Sequence, residues 1–314
     1  MPFSPYNPPP AGGDILSPYQ FWFQGKVFGE GTNGVNIKEF DGLDIEDMRT
    51  GDAVQPRDQG EYPGYDFLKG RDITIKFDMQ GINNNDLFSN FVTLGSCMTP
   101  QANQETTFFI NLPYFNGAQM GTVPGLGPQN SGDWGSQPYY LNASCRPRNK
   151  SWKLDTVFSL GSLAQDNTMQ FHTTDPRFYS PTVQYMSSGH SPLTMYPYNV
   201  GNYDCRPIIQ LQQITGNVET IQFINASTYL SGNQSVAFAS PGGDLYGAAS
   251  TTLNMYAHTS AYVYPGYPAV PYNYNLTGNP EWWTMQPGQN KIVCSWTGGG
   301  IASMTLTWAS AWLL

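Results

Sequence analysis

The stretch that decides the fold is RDITIKFDM, Arg71–Met79. Ile73, Ile75, Phe77 and Met79 alternate strictly with Asp72, Thr74, Lys76 and Asp78. Successive side chains on an extended strand point to opposite faces, so this period of two predicts a strand with one dry face and one wet face. Upstream, Gln20–Val27 and Val35–Phe40 are β-prone runs separated by a turn at Gly29, Gly31 and Gly34. Downstream comes the single helical signature. Asn83-Asn84-Asn85 offers N-caps, and Leu87, Phe88, Phe91, Val92 and Met98 recur near helical spacing, with Gly95 weakening the last turn. This apolar stripe is expected to be core.

Working outward, further β-runs lie at Thr106–Leu112, Tyr139–Cys145, Ser151–Asp155 and Thr168–Thr173. Between the first two, Pro113–Pro138 is too long for a hairpin loop and reads as an exposed functional loop or an interface element. Met186–Tyr198, rich in Ser, Pro, Gly and Tyr, reads as a linker. Beyond it the pattern predicts short strands at Ile208–Ile214, Val218–Asn225, Ser235–Ala239, Thr252–Tyr256, Lys291–Ser295 and Ser303–Trp308. Thr215-Gly216-Asn217 and Ser231-Gly232-Asn233 are read as the turns between them, and Gly298–Gly300 as a hairpin turn. In the last strand Met304, Leu306 and Trp308 share a face. Regular short strands predict a mainly β fold of the sandwich type.

Charged residues make up only 12% of the 314 residues, and aromatics reach 14% with 20 Tyr. An average soluble protein carries roughly 25% charge. Such a surface draws its polarity from amides and hydroxyls, and Tyr and Trp are favoured where surfaces become interfaces. A structural assembly protein and a secreted β-protein both fit that composition. The net charge of −9 argues against a basic nucleic-acid face. Arg146, Arg148, Lys150 and Lys153 form the one local basic cluster and read as a solvated strand or turn. The first residues, MPFSPYNPPPAGGD, suit an extended arm and lack the basic start and apolar centre of a signal peptide. No run of about eighteen apolar residues is present to span a membrane as a helix.

Little points to chemistry. His172, His190 and His258 have no metal-ligand spacing, and Cys97, Cys145, Cys205 and Cys294 are far apart and read as buried thiols. Asp41, Asp44, Glu46 and Asp47 lack the ligand order of a calcium loop and read as a solvated turn. No nucleophile elbow, zinc helix or phosphate loop occurs. Hence no cofactor, no metal and no enzymatic role are expected. Trp282 and Trp283, beside Glu281, are the candidate contact residues: one reading stacks them on a sugar ring, the other places them in core and interface.

The segment Gly64–Gly81, with FLKGRDITIKFDMQG, resembles the first domain of distal tail (Dit) proteins of long-tailed actinobacterial phages, siphovirus type. So does MQFHTTDPRFYS, Met169–Ser180. The pieces YNVGNYDCRPIIQL, EWWTMQPGQNKIVCSW and MTLTWASAWLL resemble the second domain. Their order across about 300 residues is the specific part, while the proline-rich start and Pro113–Pro138 depart from the family pattern. The resemblance implies a ring-forming β-sandwich or split barrel with one helix over 1–185, and a galectin-like β-sandwich over 186–314. It implies a structural virion protein at the distal end of the tail. There a homo-oligomeric ring, a hexamer in the family, joins the tail tube protein to baseplate or tail-tip hub proteins. Phage DNA would pass the lumen without specific binding, and no membrane is involved. In this reading Phe88, Phe91 and Val92 pin the helix on the first domain. The tyrosines of the linker and of Tyr262–Tyr274 make subunit contacts. The alternative is a carbohydrate- or receptor-binding β-sandwich module.

Overall fold

A computed structural model describes residues 16–17, 19–44, 48–49, 53–54, 61–62, 67–99, 105–111, 140–153, 162–187, 189–227, 234–239, 250–255, 259–263, 270–271 and 282–313. The proline-rich start, Pro113–Pro138, Glu46, Asp47, His258, Glu281 and most of Tyr262–Tyr274 lie outside them. The described strands are β1 (Phe21–Phe23), β2 (Lys26–Phe28), β3 (Val35–Asp41), β4 (Met48–Arg49), β5 (Ala53–Val54), β6 (Glu61–Tyr62), β7 (Phe67–Leu68) and β8 (Arg71–Gln80). After helix α1 (Asn84–Cys97) come β9 (Thr106–Asn111), β10 (Tyr140–Ser151), β11 (Leu163–Thr173), β12 (Phe178–Ser187), β13 (Leu193–Met195) and β14 (Tyr198–Asn199). The chain continues with β15 (Ile208–Asn225), β16 (Gln234–Ala239), β17 (Ser250–Asn254), β18 (Thr259–Val263), β19 (Val270–Pro271), β20 (Gly288–Gln289) and β21 (Ile292–Trp312). The fold is mainly β, with antiparallel pairing throughout.

β8 carries the period of two as expected: Ile73, Ile75, Phe77 and Met79 are wholly buried. Burying each such side chain contributes roughly 1.5–3 kcal/mol, which is why register is pinned here. β8 lies between β3 and β11, and β11 in turn pairs the second half of β10. The first half of β10 instead pairs β9, whose other neighbour is β1. One long strand thus belongs to two sheets, and it wraps them round a single core of Phe21, Phe23, Phe108, Phe171 and the β8 face. Gln20–Val27 is not one run, because Gln24 and Gly25 take positive φ and fold β1 back onto β2.

The helix begins where the asparagines place it. The Asn83 side chain accepts from the Asp86 backbone N–H (3.0 Å), and the Asp86 carboxylate accepts from the Ile82 N–H (2.8 Å). The pair caps free amides reciprocally and puts a negative charge at the positive end of the helix. Leu87, Phe91, Leu94 and Cys97 face the core. Phe88 and Val92 correct the sequence reading: they are 70% and 54% exposed. At about 100° per residue they sit about 100° and 140° round from Leu87, outside the stripe the sandwich covers.

A second core gathers Ile209, Leu211, Phe223, Trp283, Met285, Leu306 and Trp308 around β15 and β21. These two strands pair along almost their whole length, so four predicted short strands are two long ones. The expected turns at Thr215–Asn217 and Gly298–Gly300 are instead a facing irregularity, with Thr215 opposite Gly300 and Val218 opposite Gly298. Glycine lets one strand bulge while the other follows, so the chain bends without reversing. β12 joins the two cores. Phe178 points into the first and Tyr179 into the second, since neighbours on a strand face opposite ways. The stretch 186–198 also holds strand structure, because β13 pairs β21.

Candidate functional site

The residues that could carry chemistry are dispersed. His172 Nδ1 lies 2.6 Å from Asp72 Oδ1, a cross-strand pair set by the register of β8 and β11, and His190 is exposed at a distance in sequence from both. Among the described residues no group of His, Cys, Asp and Glu is arranged to hold a metal ion. The four cysteines are free and buried. Burial holds the Cys97, Cys145 and Cys205 thiols above their ordinary range and pushes Cys294 up to about 12. A thiol of that kind is a poor nucleophile.

The two candidate tryptophans part company. Trp283 is 1% exposed within the second core, while Trp282 is half-buried against its edge. Adjacent side chains of an extended segment diverge, so one can be core and the other surface. The nearby Asn290 side chain holds this corner, bonding Gln286 and Gly288, and Asn199 donates to the Met285 carbonyl.

The junction between the cores is built from the segment Thr173–Tyr179. Asp175 accepts two bonds from the Arg177 guanidinium (2.7 and 2.9 Å) and one from the Tyr179 hydroxyl (2.7 Å). The Asp175 carbonyl accepts from Thr173 Oγ1. A bidentate pair, mostly shielded from water, fixes the turn from which β12 leaves to serve both cores. Nearby, Arg71 is wholly buried, bonds the Leu43 carbonyl and lies 4.9 Å from the Phe178 ring centre. The alternation of β8 places position 71 on its dry face, and sequence reading passed over it because a charge is not expected there.

The wet face of β3, β8 and β11 carries a polar lattice that sequence reading missed. Lys38 Nζ sits 2.8 Å from Asp78 and 3.0 Å from Asp166, and Lys76 sits 2.8 Å from Glu39. Lys38 and Asp166 stand at irregularities in β3 and β11, on opposite sides of β8, and both turn toward Asp78. Hydrogen bonding to the two carboxylates raises the Lys38 pKa, and that to Glu39 raises Lys76; Lys38 in turn lowers Asp166. Asp166 lies far along the chain from its partners, so no local pattern could reveal the cluster. The middle of the same face is an uncharged depression of about 140 Å³ lined by Thr74, Asn149, Thr168, Met169 and Gln170.

Comparison of the sequence with protein-family models and with curated proteins gives no match. Solved structures do match. The crystal structure of the SPP1 Dit (gp 19.1) protein, described as a paradigm of hub adsorption apparatus in phages infecting Gram-positive bacteria, superposes with a TM-score of 0.59. The match is 13% identical and covers 94% of this chain and 99% of that one. This chain has a Dit-like fold. The phage P2 baseplate in its activated conformation with Ca gives a TM-score of 0.45 at 8% identity, covering 92% of this chain and 97% of that one.

Proposed function

We propose that the chain is a structural virion protein of a siphovirus-type actinobacteriophage. It forms a ring-shaped hub at the distal end of the tail and joins the tail tube to the baseplate or tip proteins. The observation that carries this reading is the Dit-like fold, matched along 94% of this chain and 99% of the SPP1 Dit protein. The ordered sequence resemblances support it independently, since they fall in both parts of the chain. We assign 1–185 to the ring-forming part and 186–314 to a galectin-like outer sandwich. A two-part organisation is supported by two hydrophobic cores, the chain passing from the first to the second between Phe178 and Tyr179, ahead of the assigned boundary. The ring is a homo-oligomer, a hexamer in this reading, with DNA passing through its lumen. Of the tryptophan pair, Trp282 is the member assigned to a contact with a partner.

Electron microscopy of the purified chain, alone and mixed with its tail tube protein, tests the reading. Closed rings of sixfold symmetry and antibody labelling at the tail tip are expected. A chain that stays monomeric at high concentration in both settings, and labels elsewhere on the virion, overturns it.

A further inference from the structure

Two strands cross from one core to the other at the same rung. On β12, Phe178 belongs to the first core and Tyr179 to the second. Their cross-strand partners on β21 divide in the same way. Trp312, opposite Phe178, packs on the first core, and Ala311, opposite Tyr179, lies in the second. Neighbouring side chains on a strand face opposite ways, so this end of the β12–β21 ladder is a wall with a core on each side. β10 extends the wall: Asn142 pairs Tyr179 and is buried, while Leu141 and Ala143 on either side of it belong to the first core.

The end of β21 is held on both edges. β12 supplies one. On the other, the Tyr203 N–H donates to the Ala311 carbonyl (3.1 Å) and the Val200 N–H to Ser310 Oγ (3.1 Å). The Asn202 side chain accepts from the Leu313 N–H (2.7 Å) and donates to the Leu313 carbonyl (2.5 Å). A Cβ on Gly201 would stand 1.9 Å from the Ala311 carbonyl oxygen, so glycine is what admits the strand this closely. Trp312 is thus delivered to the first core by a strand whose earlier residues, Met304, Leu306 and Trp308 among them, pack in the second.

Parts of a chain with separate cores move and open separately unless what joins them is extensive and apolar. Here the joint is made of adjacent residues. Phe178 cannot leave the first core without shifting Tyr179 in the second, and Trp312 is tied to Ala311 in the same way. We infer that the two cores form one cooperative unit, closed by the end of β21 as a clasp. The second part then neither swings on the first nor unfolds without it. Under the hub reading the outer sandwich would keep one fixed direction on the ring, but the inference stands on the shared wall and not on that reading.

Hydrogen exchange of the full-length chain, followed by mass spectrometry on peptides from β8 and β15, tests it. Ile75 and Ile209 are each wholly buried, one in each core. Ile209→Val removes one buried methyl group, a loss that should speed exchange through unfolding roughly two- to twelvefold. Both peptides should speed up by the same factor, and Ile75→Val should give the mirror result. Adding Trp312→Ala should confine the effect of Ile209→Val to β15. Asn202 is exposed and lies in neither core, so Asn202→Ala frees one edge of the clasp in a chain that still folds. The transfer from Ile209→Val to β8 should weaken there too, which keeps the test open should Trp312→Ala fail to fold.

If Ile209→Val speeds β15 alone in the otherwise unaltered chain, the cores are independent and the inference is overturned. If the effect still reaches β8 at full strength beside Asn202→Ala, and beside Trp312→Ala where that chain folds, β12 alone joins the cores and the clasp is overturned. Ring formation is read separately by electron microscopy, so the hub reading can stand or fail without changing either outcome.

Discussion

The sharpest test of the fold is a contrast between two phenylalanines one turn apart on the same helix. Phe91 is 6% exposed, and its ring centre lies 4.9 Å from that of Trp152; Phe88 is 70% exposed. Removing a buried phenyl ring forfeits roughly 1.5–3 kcal/mol of transfer energy. The lost aromatic pair adds about 0.5–1.5 kcal/mol, and the cavity left behind brings Phe→Ala changes in cores to about 3–5 kcal/mol. Phe91→Ala should therefore destabilise the chain by about 4 kcal/mol. Phe88→Ala removes almost no buried surface and gains helix propensity, so its effect should stay within about 0.5 kcal/mol of zero. Urea denaturation of the isolated chain, followed by tryptophan fluorescence and by circular dichroism, reads both. Equal losses for the two variants, or a loss above about 2 kcal/mol for Phe88→Ala, would mean that the helix is rotated from the orientation described and that the stripe read from sequence was correct.

Gly34 takes φ +70°, and a Cβ there would stand 2.2 Å from the Gln80 carbonyl oxygen, so Gly34→Ala should cost at least about 2 kcal/mol in the same denaturation assay. Asp175→Ala strips the paired guanidinium of Arg177 and the Tyr179 hydroxyl of a shared acceptor at the junction of the cores. A loss of about 3 kcal/mol is expected, and a thermal melt showing no change would remove the junction from the structural account. Asp166 is held below its ordinary pKa by Lys38, so its contribution is present above the usual carboxylate range and disappears as pH falls through its lower folded value. Asp166→Asn should thus lower the melting temperature slightly at pH 7 and match the parent once the pH has fallen below the lowered folded value of Asp166, and parallel curves at all pH values would refute the pairing. The four buried thiols should resist Ellman's reagent at pH 8 in the folded chain and react once it is unfolded; prompt reaction of any of them would contradict its burial.

The alternation in Arg71–Met79 was sufficient to place a strand and its dry face, because the two-residue period of an extended backbone is a local property. The asparagine cap was legible for the same reason: it needs only three residues and their own amides. By itself the sequence also determined the mainly β character and the burial of Met304, Leu306 and Trp308. Which side of the helix is dry was not local. The pattern held both Phe88 and Phe91, and only the sandwich beneath could choose between them. The glycines of 215–217 and 298–300 look like turns in isolation and become bulges because two long strands face each other there. The Lys38, Asp78 and Asp166 cluster and the separation of Trp282 from Trp283 likewise depend on pairings between segments distant along the chain. Local periodicity decides how each segment is built, whereas register between distant strands decides what its side chains meet.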